Sequence, residues 1–100
     1  AVLIRALLPL EGLAFIAQRR AGRTAAVWCS GPAKLCKAFA IDGSLNGVNL
    51  CDDESPLWIE DGIQVPDVQV SITPRIGIEH SPEPWRSKPW RYLAHLERLL

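Results

Sequence analysis

Cys29, Cys36, Cys51, His80 and His95 are the side chains of this 100-residue chain whose types could hold a metal or run thiol chemistry. Their spacing argues against both. A structural zinc site takes about four ligands, and its cysteines usually come as close pairs two to four residues apart, which this sequence lacks. No C-x-x-C redox motif is present, and an odd cysteine count does not fit a secreted disulfide framework. Cys29 and Cys36 lie instead within "CSGPAKLCKAFAID", residues 29–42. Here Ser30 or Gly31 can cap a helix and Pro32 fits its first position, where a missing N–H costs nothing. Leu35, Cys36, Phe39 and Ala40 then form one apolar stripe, with Lys34 and Lys37 off it. A small-residue helix start beside a lysine can hold a phosphate. It can equally be an ordinary capped helix, and spacing alone leaves the two readings open.

Arg5 is the second pointer to chemistry. Residues 1–8 alternate as a strand, with Ala1, Leu3, Arg5 and Leu7 on one face and Val2, Ile4, Ala6 and Leu8 on the other. An arginine on an apolar face needs a carboxylate, a phosphate or water in a cleft, because an unpaired buried charge is costly. A plain structural ion pair would also satisfy it.

The elements that must position these groups follow along the chain. Pro9 ends the first strand, residues 11–20 read as a short helix, and "RRAGRT" as an exposed turn. After the Ser-Gly-Pro helix, "DGSLNG" and "CDDESP" are turn-rich and acidic. "PLWIED" reads as a short strand. "VPDVQVSIT" alternates with period two from Val68 onward and predicts a half-buried strand. "PRIGIEH" continues the extended course through Gly77, a residue that in a strand often marks a bulge or a close backbone approach. "SPEPWRSKPW" is a proline-rich surface loop. In the tail, Leu93, Leu96 and Leu100 fall at helical spacing, while "PWRYL" could also be a last strand. No internal repeat is visible.

Length sets one modest core and a single domain. No apolar run approaches the ~20 residues of a membrane span, and the apolar start, interrupted by Arg5, has neither the basic leader nor the cleavage site of a signal peptide. The default is therefore an intracellular soluble protein. The chain opens mid-pattern without methionine, which points to a fragment or a processed product. Its zero net charge conceals a segregation: residues 1–38 balance to +5, residues 39–72 to −7 and residues 73–100 to +2. A basic region of this size fits limited contact with a polyanion and ordinary solvated surface about equally well.

Three blocks in order, "VLIRALLPLEGL", "CSGPAKLCKAFAIDGSLNGVNL" and "PRIGIEH…PWRSKPWRYL", resemble the C-terminal half of the alkyladenine (3-methyladenine) DNA glycosylase family over residues 1–92. The R-A-L-x-P-L-E-G and G-P-x-K-L-C-x-A-x-x-I runs carry most of it; Leu57–Gly62 matches more loosely. The resemblance implies a mixed α/β (α+β) fold, a single domain with a curved, largely antiparallel sheet and short helices. Residues 1–100 would form the C-terminal part of one glycosylase domain, an incomplete copy of the family fold. It implies a monofunctional enzyme of base-excision repair that flips an alkylated or deaminated purine out of duplex DNA and hydrolyses its glycosidic bond with a water activated by a glutamate. Arg5 and the main-chain carbonyl of Ile76 would hold that water. Leu3 would line the pocket, and Gly77 would keep backbone near the sugar. Gly31, Lys34, Arg75 and Lys88 would contact the DNA backbone. The partner would be double-stranded DNA containing damaged purines, with no metal or organic cofactor, no membrane, and a monomeric complete domain.

The family's glutamate, its base-stacking aromatics and the tyrosine that fills the duplex all lie upstream of residue 1, so the chain alone is expected to be inactive and poorly soluble or dependent on a partner segment. Glu79 lies beside Ile76 but holds no catalytic place in the family, and the last eight residues depart from its pattern. Two other classes remain: a non-catalytic DNA-binding remnant using Arg5, Lys34, Arg75 and Lys88, and a small interaction domain anchored by Trp28, Trp58, Trp85 and Trp90.

Overall fold

The computed structural model describes residues 1–95. They form two compact units, Ala1–Glu60 and a second beginning at Asp61. The first is helical and the second carries an antiparallel pair of strands, so the composition of elements is mixed α/β.

In the first unit, α1 (Leu13–Arg19) starts after Gly12, whose φ of 68° turns the chain into the helix. Helix α2 (Pro32–Ala38) starts with Gly31 as its cap and Pro32 in the first turn. Ser30 is not the cap, because its hydroxyl donates back to the Val27 carbonyl at 3.3 Å. The two helices pack on each other, burying Ile16 of α1 with Cys29 and Ala38, and Trp28 closes the side of this cluster. Leu35 is buried as well. A polar tie accompanies the apolar contact: Arg19 Nη1 donates to the Ala38 carbonyl at 3.0 Å, satisfying one of the carbonyls that a helix end leaves without a partner.

The predicted stripe on α2 is corrected by the way the helix ends. Ile41 N–H bonds the Cys36 carbonyl at 2.8 Å and Ala40 N–H the Lys37 carbonyl at 3.4 Å, while Ala40 itself has φ 54°. This is the Schellman arrangement, with alanine where glycine usually stands. The chain therefore leaves the helix before Phe39 and Ala40 can extend the stripe, and both are exposed. Leu35 and Ala38, three residues apart, form the buried face instead.

Several other expectations change. Residues 1–8 carry no strand, because strand pairing needs a neighbour and among the described residues only Leu7 N–H finds one, the Cys29 carbonyl at 3.2 Å. In the "RRAGRT" turn Arg20 is buried rather than exposed. "PLWIED" forms no strand; its one backbone bond runs from Ile59 N–H to the Leu50 carbonyl at 2.8 Å. The acidic stretches are turns, as expected, and their side chains build them. Asp42 Oδ1 accepts from Ser44 N–H, Asn49 Oδ1 from Cys51 N–H and Asp52 Oδ1 from Glu54 N–H.

In the second unit, β1 (Val70–Thr73) pairs antiparallel with β2 (Arg91–Ala94) in the register Val70 to Ala94 and Thr73 to Arg91. "PWRYL" thus supplies a strand; Leu96 and Leu100 lie outside the described residues. Strand β1 begins two residues later than the alternation predicts, because Asp67–Gln69 makes a tight helical turn first. Ile72 is exposed beside its cross-strand partner Tyr92, while Val70 on the same face and, on the other face, Ser71 and Thr73 are half-buried. The hydroxyls of those two are engaged, Ser71 Oγ within 2.7 Å of His95 Nε2 and Thr73 Oγ1 accepting from Arg91 at 3.4 Å. "PRIGIEH" is a turn and not extended, with Gly77 at φ 84°. The loop "SPEPWRSKPW" contains a short helical turn at Trp85–Ser87. No helix among the described residues is long and apolar enough to cross a membrane.

Two substitutions of opposite sign test this packing. Ile16→Ala should cost about 2–4 kcal/mol in urea unfolding, as a buried aliphatic truncation does. Ala40→Gly should stabilise by up to about 1 kcal/mol, because glycine adopts the left-handed turn without the Cβ penalty.

Candidate functional site

The residues singled out from the sequence divide between the two units. In the first, Arg5 is half-buried and makes neither a hydrogen bond nor an ion pair among the described residues. The structural ion pair that would have explained it is therefore not formed there; the one ion pair among the described residues joins Arg86 and Glu83 at 3.1 Å. Leu3, two residues away on the same side of the alternation, is 62 % exposed. Gly31 is buried, and a Cβ added to it would meet Lys34 Cδ at 3.7 Å, so the aliphatic stem of Lys34 lies against the start of α2.

In the second unit Arg75, Ile76 and Gly77 make the turn that follows β1. The carbonyl of Ile76 accepts no hydrogen bond among the described residues. Gly77 is required here by its positive φ rather than by crowding, since a Cβ built on it would meet nothing within 4 Å. Its N–H donates to Glu79 Oε1 at 3.4 Å. Backbone N–H groups of Glu79 itself and of Gly77, with His80 nearby, hold the Glu79 carboxyl below its ordinary value. Lys88 is half-buried, with Nζ 5.7 Å from the centre of the Trp90 ring, and Trp90 leans on Trp85 at 5.9 Å between ring centres. Lys88 thus has an aromatic neighbour that the sequence did not announce.

Arg20 was missed altogether. The residue is 8 % exposed and its buried Nε has no acceptor among the described residues, and the only sequence signal was the Arg19-Arg20 doublet at the end of α1. Burial pushes the neighbouring Cys29 thiol up, against the pull of the Arg20 charge. All three cysteines are free thiols. The hollow lined by Ile41, Asp42, Leu45, Asn46, Val48 and Leu57, about 550 Å³, contains none of the expected site residues.

What the separate pieces share is seen by comparison. The sequence model of methylpurine-DNA glycosylase matches residues 1–98. The chain belongs to that family. It is 44 % identical over 96 residues to a Herpetosiphon aurantiacus protein named as a 3-methyladenine DNA glycosylase, covering 94 % of this chain and 43 % of that protein. A Bacillus subtilis protein of the same name is 44 % identical, covering 92 % of this chain and 44 % of that protein. The human DNA-3-methyladenine glycosylase is 40 % identical, covering 91 % of this chain and 33 % of the human protein. The chain thus spans less than half the length of these curated relatives, and the activity in their names belongs to longer proteins.

The Gly77–Glu79 contact gives a pH test in this family member. A carboxyl whose folded value is lowered contributes its contact above the unfolded value, about 4.3 for glutamate, and loses it as pH falls through the folded value. The Gly77 amide resonance should therefore titrate with a midpoint below that of an unperturbed glutamate, and Glu79→Gln should abolish the titration. A midpoint at or above that value would contradict the contact.

Proposed function

We propose that this chain supplies the water-holding and DNA-gripping part of a monofunctional glycosylase of base-excision repair. It acts on alkylated or deaminated purines flipped from intracellular duplex DNA. The observation that carries the reading is the family match over residues 1–98, joined to a half-buried Arg5 with no partner among the described residues and an Ile76 carbonyl with an open lone pair.

The proposed chemistry follows from what a water needs in order to attack C1′. The Arg5 guanidinium donates to one lone pair of the water. The Ile76 carbonyl accepts one of its protons and a carboxylate the other, which leaves the second lone pair to face the sugar. As the C1′–N bond breaks, its electron pair leaves with the purine, the water oxygen bonds to C1′ through its free lone pair and the carboxylate takes the water's proton. Glu79 is a poor candidate for that base, because hydrogen bonds to its charged form lower its basicity. The base is assigned to the glutamate that the family resemblance places outside these residues. Leu3 lines the pocket for the flipped purine. Gly77 presents the turn backbone to the sugar. Gly31, Lys34, Arg75 and Lys88 take phosphates, and the complete domain works as a monomer without metal or organic cofactor.

Single-turnover release of hypoxanthine from an end-labelled duplex tests this reading. The chain alone should release nothing measurable, since loss of a general base costs about 10²–10⁴ in rate before the flipping residues are counted. Joined to the portion of the Herpetosiphon relative that it does not span, it should release the base. In the joined protein Arg5→Gln should slow release by about 10²-fold through misplacement of the water. Lys34→Glu should weaken duplex binding irrespective of damage and reduce the salt slope by about 1. Release by the chain alone would place a competent base among these residues and overturn the assignment. Salt-dependent binding with no release by the joined protein would favour a non-catalytic DNA-binding remnant.

A further inference from the structure

The Ile76 carbonyl and the Gly77 N–H belong to one peptide group, so whatever holds the N–H also sets where the carbonyl points. That group is planar and trans, and its two polar bonds face opposite sides of the chain. The Gly77 N–H donates to Glu79 Oε1 at 3.4 Å, while the Ile76 carbonyl accepts nothing among the described residues. The carboxylate thus stands on one side of the turn and the open carbonyl on the other.

Without that contact the peptide is easy to turn over. Gly77 has φ 84°, the value of the third residue of a type II turn. Rotating the central peptide of such a turn by about 180° gives the type I form, which glycine adopts as readily. A Cβ built on Gly77 would meet nothing within 4 Å, so crowding does not hold the residue in either form. The Glu79 carboxylate does, because rotation would exchange an N–H facing it for a carbonyl oxygen, leaving two acceptors opposed. A peptide whose N–H binds an anion also presents a stronger carbonyl acceptor. The residue that carries the carboxylate is tied in turn: the main-chain carbonyl of Glu79 accepts from Arg86 Nη1 at 3.5 Å, and Arg86 Nε pairs with Glu83 at 3.1 Å. All of these contacts lie within residues 77–86 and draw on no segment outside the chain.

Given the water-holding role proposed for Ile76, we propose that Glu79 is its positioning residue, fixing the Ile76–Gly77 peptide plane so that the Ile76 carbonyl faces the attacking water. Glu79 takes no proton from that water and touches neither purine nor sugar. It acts through the peptide alone, and what it must supply is an oxygen acceptor two residues after Gly77.

Single-turnover release of hypoxanthine tests this in the protein that joins the chain to the portion of the Herpetosiphon relative it does not span. Glu79→Ala should slow release at saturating protein by about tenfold, with duplex affinity and thermal midpoint unchanged. Glu79→Gln keeps an oxygen acceptor and should hold the rate within about threefold of the unsubstituted protein. In the chain alone, hydrogen exchange of the Gly77 amide should quicken by about tenfold with alanine and by less than about threefold with glutamine. Undiminished release with alanine, glutamine as slow as alanine, a loss confined to duplex affinity, or Gly77 exchange indifferent to alanine would each overturn the proposal while the function stands. No release by the unsubstituted joined protein would overturn the proposed function and this use of the turn with it, even where Gly77 exchange responds as expected.

Discussion

The first unit depends on how the ends of two seven-residue helices meet. Neither α1 nor α2 is long enough to be stable by itself, so each persists through the other. Ile16, Cys29 and Ala38 exclude water between them, and the Arg19 guanidinium closes the contact on the Ala38 carbonyl. Gly31 and Pro32 set where α2 begins and the Ala40 turn sets where it ends, and the acidic turns of residues 42–55 run on from there.

Local signals that bind a residue to its neighbours were legible. Pro32 after Gly31 marked the start of α2, residues 11–20 read as the helix that contains α1, and Asp42 and Asp52 turn the backbone within the stretches read as turns. What depends on a distant partner was not. The alternation of residues 1–8 states what faces the segment wants covered, but a ladder requires a second strand, and among the described residues only Leu7 N–H finds a backbone acceptor. In β1 the half-buried strand was legible, whereas the exposure of Ile72 and the hydroxyl contacts of Ser71 and Thr73 were not. Ala40 hid the helix end, because alanine carries no sign of a left-handed turn.

The candidate site was legible in its residues rather than in its assembly. Arg5 drew attention as a charge on an apolar alternation, and it is half-buried without a partner among the described residues. Ile76 and Gly77 lie in a turn held by the Glu79 carboxylate, a contact that keeps this acid occupied and weakly basic. Arg20 needed coordinates, since its burial beside Cys29 depends on residues distant along the chain, and so did the placing of Lys88 Nζ near the ring of Trp90, two positions on.

A structure of the joined protein on a duplex holding a flipped, uncleavable nucleotide tests the central claim most directly. One water should face C1′, within about 3 Å of both an Arg5 nitrogen and the Ile76 carbonyl oxygen, with a carboxylate from outside this chain as its third neighbour. An Arg5 guanidinium ion-paired to a carboxylate, with no water shared with Ile76, would contradict it.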